Sequence, residues 1–100
     1  MQFLVLTRRR ADSNPPEAFA ALYPQEIART RELYAAGFTR QVWHRADRSG
    51  ACQLVEAADE ATVRSTLASL PFAQAGLLDI EIVALAPYAG FAPEARSDGS

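Results

Sequence analysis

The chain has 100 residues, enough for one domain with a modest core. Ten arginines and no lysine stand against twelve carboxylates, giving a net charge of -2, and 49% of the residues are apolar. Such a balance supplies no general attraction to phosphate backbones and argues against a nucleic-acid partner. The abundance of Ala and the use of Arg in place of Lys point to GC-rich, bacterial coding. Cys52 is the single cysteine, so no internal disulfide is possible, in keeping with a reducing compartment. The apolar run Phe3-Leu4-Val5-Leu6 precedes its basic cluster Arg8-Arg9-Arg10, the reverse of a signal peptide, and is too short to span a bilayer. These features predict a cytoplasmic protein without a membrane partner.

Residues 2–8 read as a central strand, with Phe3 and Val5 on one face and Leu4 and Leu6 on the other. A polar stretch follows, in which Ser13 or Asn14 is placed to cap a helix over 16–36. Phe19, Leu22, Tyr23, Ile27, Thr30, Leu33 and Tyr34 recur at helical spacing, Pro24 predicts a kink or break, and Gly37 ends the helix as its C′ residue. Residues 38–46 alternate as a second strand, on which Phe38, Arg40, Val42 and His44 share a face opposite Trp43. Asp47-Arg48-Ser49-Gly50 is a turn leading into a third strand over 51–57. Asp59 caps a second helix over 60–70, ended by Pro71; 71–77 is read as a loop and 78–86 as the last strand. Residues 1–90 are thus expected to form one domain, followed by a partly disordered tail over 91–100.

The element order β-α-β-β-α-β predicts a ferredoxin-like α+β domain, a four-stranded antiparallel sheet of order 4-1-3-2 with two helices on one face. The second face of the first strand is then too apolar to stay wet, which predicts a homodimer or higher homo-oligomer through the open sheet or the 87–93 segment.

The segments Gly37-Phe38-Thr39-Arg40-Gln41-Val42-Trp43-His44-Arg45, Leu70-Pro71-Phe72 and Asp79-Ile80-Glu81-Ile82 resemble the muconolactone isomerase family across residues 2–88. The stretch from Pro71 to Leu77 is also similar to the YCII-like branch of the same dimeric α/β-barrel superfamily. Where characterised members of the isomerase family look like Arg after the tryptophan, this chain has His44. The resemblance implies subunits of the dimeric α/β-barrel type with pockets between them. It also implies cofactor-free movement of a proton and double bond in a small lactone acid of aromatic catabolism, and an acidic residue in the first helix, matched by Glu26.

Such chemistry requires a base that removes and returns a proton, and a cation for the substrate acid and the developing enolate. Glu26 is the candidate base, the alternative being a solvated carboxylate paired with Arg29 or Thr30. His44, the only histidine, is a candidate for proton transfer or for a hydrogen bond to the enolate, the alternative being an interface histidine. Arg40 is the expected anchor for the substrate carboxylate, with Arg8 as a second candidate, and Tyr23 and Trp43 are expected walls. Bringing Glu26 over Arg40 and His44 requires the helix to tilt at Pro24. No metal-ligand spacing is present, and Cys52 reads as packing. An isomerase and a non-catalytic ligand-binding or assembly module remain the two readings, separable by whether these groups converge on one cavity.

Overall fold

The computed structural model describes residues 1–91. Its elements are β1 (Gln2–Arg9), α1 (Pro16–Ala35), β2 (Thr39–His44), β3 (Ala51–Glu56), α2 (Glu60–Leu67), a four-residue helix α3 (Pro71–Gln74) and β4 (Leu78–Ala84), then a 3-10 turn over Ala89–Phe91. One sheet of order β2-β3-β1-β4 is antiparallel at every pairing. This is the expected ferredoxin-like α+β arrangement. Among the described residues no helix is long and apolar enough to cross a membrane. Of the tail expected over 91–100, residues 92–100 lie outside the described residues, as does the end of the 87–93 segment.

The two faces of β1 divide the molecule. Phe3 and Val5 are buried with Val55 of β3 against Leu33 of α1 and Val63, Leu67 and Leu70 of the α2 region. A second, smaller core of Phe19, Phe72 and Leu77 lies at the other end of α1. Each such fully buried Phe, Leu or Val contributes about 1.5–3 kcal/mol relative to exposure. Leu4, Leu6, Cys52 and Leu54 point to the opposite, uncovered face and are only half-buried.

Local signals explain the ends of the elements. Gly37 takes φ +85, its N–H donates to Tyr34 O, and the Phe38 N–H donates to Leu33 O. With Phe38 and Leu33 both in the core, this is a Schellman end. The Asp59 side chain caps α2 by accepting from Thr62 N at 2.8 Å.

Several local expectations are corrected. Helix α1 runs through Pro24 without the break that was one of the two expected outcomes. The bond Pro24 cannot donate would go to the Ala20 carbonyl, and both residues are exposed, so water can take that carbonyl. Neither Ser13 nor Asn14 caps α1: Pro15 holds the N-cap position without a side-chain bond, and the Asn14 amide donates to Arg10 O. Helix α2 stops at Leu67, and the expected loop after Pro71 contains α3, because Pro71 suits the first position of a helix. Most consequential is β2. Thr39 pairs with Val55 and Gln41 pairs with Leu54, so Arg40 is an extra residue in a β-bulge.

Candidate active site

Between the two cores, the positions of α1 that line the space over the sheet include Glu26 and Thr30 where the stripe would otherwise continue apolar. The helix-facing row of β1 changes character in the same direction, from Phe3 and Val5 to Thr7 and Arg9. The result is a cavity of about 270 Å³ whose floor is largely apolar, including Ile27, Val42, Leu70, Phe72 and Leu78. Its polar groups include Glu26, Thr30 and Arg31 from α1, Arg9 from β1, Gln53 from β3, His44 from β2, and Arg48 from the β2–β3 turn; Tyr23 stands at the mouth.

The bulge decides which residues of β2 reach this cavity. Regular alternation would put Arg40, Val42 and His44 on one face. The extra residue instead leaves Val42 opposite Gln53 and His44 opposite Ala51, both helix-facing, while Trp43 lies opposite Cys52 on the open face. Arg40 is therefore not a lining residue, and its charge acts on Glu56 at the far end of the sheet edge. The expectation that Arg40 and His44 share a face is corrected, as is that of Trp43 as a wall of this cavity: the residue lies on the open face and is 49% exposed. Arg8 faces a different, outer cavity. The tilt at Pro24 is not needed, since His44 already lies on the face that α1 covers.

Glu26 is held rather than solvated. Its Oε1 accepts a hydrogen bond from the Phe72 N–H at 2.9 Å, across 46 residues of sequence. Arg29 is instead committed to Glu32 and to the Ser69 hydroxyl, and the Thr30 hydroxyl donates to the Glu26 main-chain carbonyl. Burial raises the Glu26 carboxyl above its ordinary value, an effect partly opposed by the Phe72 hydrogen bond and by the charge of Arg9. A carboxylate desolvated beside a cation inside a cavity has the properties of a general base.

Arg9 is the cation that sequence reasoning missed. Its guanidinium lies 5.2 Å from the Phe19 ring centroid and 5.6 Å from that of Phe72. Those rings meet edge to face at 5.6 Å, and the cation–π contacts hold the head group beside Glu26. The available signal was parity: Arg9 belongs to the Phe3, Val5, Thr7 row, and Arg8 does not. Among the described residues no three His, Cys, Asp or Glu side chains cluster to hold a metal ion.

The sequence matches the muconolactone delta-isomerase family over residues 1–90. The chain belongs to that family. Among solved structures it is similar to muconolactone isomerase, with a TM-score of 0.71 and 23% identity over 89% of this chain and 92% of that one. It is also similar to 5-chloro-2-hydroxyhydroquinone dehydrochlorinase of Burkholderia phenoliruptrix AC1100, solved with 2,5-dihydroxybenzoquinone. There the TM-score is 0.70 and identity is 20% over 90% of this chain and 98% of that one. At these identities the likeness to the two structures is one of fold. No curated protein matches the sequence.

Proposed function

We propose that the protein is a cytoplasmic, cofactor-independent isomerase that moves a proton, and with it a double bond, in a small carboxylated lactone of aromatic catabolism. The observation that carries this reading is Glu26, a half-buried carboxylate shifted toward protonation in an apolar cavity it shares with Arg9 and His44. The Glu26 carboxylate takes a proton from a ring carbon, and the electron pair left behind spreads into the carbonyl as a dienolate. The carboxylic acid so formed returns the proton to another carbon of the same conjugated system, and composition is unchanged. Arg9 binds the substrate carboxylate and His44 donates a hydrogen bond to the enolate oxygen. Tyr23 forms a wall of the site. The cavity of about 270 Å³ suits a single-ring acid, since it lies below the volume usual for drug-sized ligands.

The test is ultraviolet absorbance of the purified protein with muconolactone and related enol-lactones, in which a shift of conjugation is read directly. A base that takes a hydroxyl proton from a chlorinated hydroxyhydroquinone and passes it to the chlorine-bearing carbon would let chloride leave as a second hydroxyl loses its proton and the ring becomes a hydroxyquinone, so such a compound forms a second arm. Silence in both arms, with no ligand displacing water from the cavity, would leave the non-catalytic module as the reading.

The protein is further proposed to work as a homodimer or higher homo-oligomer through its open sheet face. There Leu4, Leu6, Cys52 and Leu54 are half-buried, and Trp43 and Val83 are exposed at 49% and 36%. Light scattering at micromolar concentration is expected to give at least twice the chain mass of 10.9 kDa. A clean monomer would overturn the assembly.

A further inference from the structure

Arg48 is the only residue other than glycine with a positive φ among the described residues, at 65°. A long cationic side chain is a poor choice for this left-handed conformation, which Gly or Asn adopts with less strain. The turn holds it there firmly. The Arg48 N–H donates to Arg45 O at 2.8 Å, and Arg45 N–H donates to Gly50 O at 2.9 Å. The Asp47 carboxylate accepts from both the Ser49 N–H and hydroxyl, and Ser49 O accepts from Arg9 N–H at 2.7 Å. A strained residue that a rigid turn fixes in place is a pointer to use of its side chain.

The side chain stands where two cavities meet. Arg48 and Arg9 line both the inner cavity and a larger, more polar one of about 680 Å³ on the outer side of the β2–β3 turn. The outer cavity adds Arg8 and Arg10. Its carboxylates are Asp12 and Asp79, and Asp79 is bound to Arg10 at 2.8 Å. Among the described residues neither Arg8 nor Arg48 has a carboxylate within ion-pair distance. The inner cavity likewise sets three arginines, Arg9, Arg31 and Arg48, against the single carboxylate of Glu26. A monocarboxylate seated against Arg9 leaves Arg48 unanswered, while Arg10 is held by Asp79 and Arg8 meets only the longer-range charge of Asp47.

From this geometry we infer that the natural ligand carries two acidic groups. The first lies with the reacting ring in the inner cavity, and the second reaches across the divide to Arg48 and Arg8. Arg48 is thereby a specificity-determining residue for dianions. The inference rests on the reading of the inner cavity as the seat of a carboxylated ring.

The test is calorimetric titration of the full chain with benzoate, as a monoanion, and 4-(carboxymethyl)benzoate, as a dianion, in native protein and in Arg48→Asn. Asn accepts the left-handed backbone, so this variant should fold and melt about 4 °C higher as strain is relieved. The native protein is expected to bind the dianion at least tenfold more tightly than the monoanion, with a preference that fades as salt is raised. Arg48→Asn should cost the dianion at least tenfold more affinity than it costs benzoate, and Arg48→Lys should restore part of that difference. Equal affinity of the native protein for the two probes, or equal loss of both in Arg48→Asn, overturns the dianion inference and leaves the inner-cavity reading standing. Failure of the native protein to bind either probe overturns that reading and the inference with it.

Discussion

Replacing Glu26 by Gln is expected to lower turnover by about two to four orders of magnitude, the usual contribution of a positioned acid–base group. The amide oxygen can still accept from the Phe72 N–H, so the local packing is kept while the proton acceptor is lost. Stability should move the other way. Burial raises the Glu26 carboxyl, so the folded chain holds that proton more tightly than the unfolded chain. The stability this contributes is complete below the unfolded value and is lost as pH rises through the folded one. At neutral pH the ionised, partly desolvated group is a net cost, and Glu26→Gln should be at least as stable as the native protein. The difference should vanish below about pH 4, where the native side chain is itself neutral. Activity should rise with pH on an acidic limb displaced upward from the ordinary carboxylate range, and the variant should lack that limb. Steady-state rates and urea midpoints at several pH values measure both effects; undiminished turnover in the variant would remove Glu26 from the chemistry.

Gly50→Ala is expected to destabilise the fold by about 3 kcal/mol, at the upper end of the range for overpacking. A Cβ there would lie 2.0 Å from Thr7 O, 2.7 Å from Thr7 C and 2.9 Å from the Arg8 Cα, all of them backbone atoms that no rotamer change can move aside. The conflict is one of space, since β1 and β3 approach unusually closely where their regular register ends at Leu6 and Cys52. Beyond that pair the Thr7 hydroxyl takes over the ladder, accepting from Ala51 N–H at 3.1 Å. Forcing the strands apart would break this bond and the Arg9–Ser49 bond together, and would also shift the cavity wall that Gly50 forms. Urea denaturation measures the loss. A cost below about 1 kcal/mol would show that the strands yield easily there.

How far these features were legible in the sequence follows from the kind of signal each one leaves. The βαββαβ order is written in periodicity and punctuation. Gly37, Asp59 and Pro71 each act on their own backbone and can be read without tertiary knowledge. Glu26 was findable because it interrupts an apolar helical stripe and matches the acidic residue implied by the family resemblance. The partner that holds it, the Phe72 N–H, left no trace, because a main-chain donor 46 residues away has no side-chain signature. The choice of Arg8 over Arg9 failed because β1 is apolar on both faces, so composition alone could not say which face the helices cover. Pro24 carries a break signal that its surroundings offset: at an exposed position the freed Ala20 carbonyl can turn to water, and the rest of the helix face keeps its packing. The placing of Arg40 and Trp43 failed for a single reason, the extra residue in β2, which no local pattern announces.

That residue has the character of a frameshift. Upstream of it Thr39 faces the helices with Val55; downstream the same face is continued by Val42 and His44, a spacing of three where an uninterrupted strand allows only two. Arg40 can therefore be deleted on paper without exchanging a single pairing partner: Thr39 would still meet Val55, and Gln41 would still meet Leu54. Chain length and cavity chemistry are uncoupled at this point, so a relative one residue shorter here would present the same walls to its ligand. One that filled the gap with a regularly paired residue would turn its tryptophan inward and its histidine out.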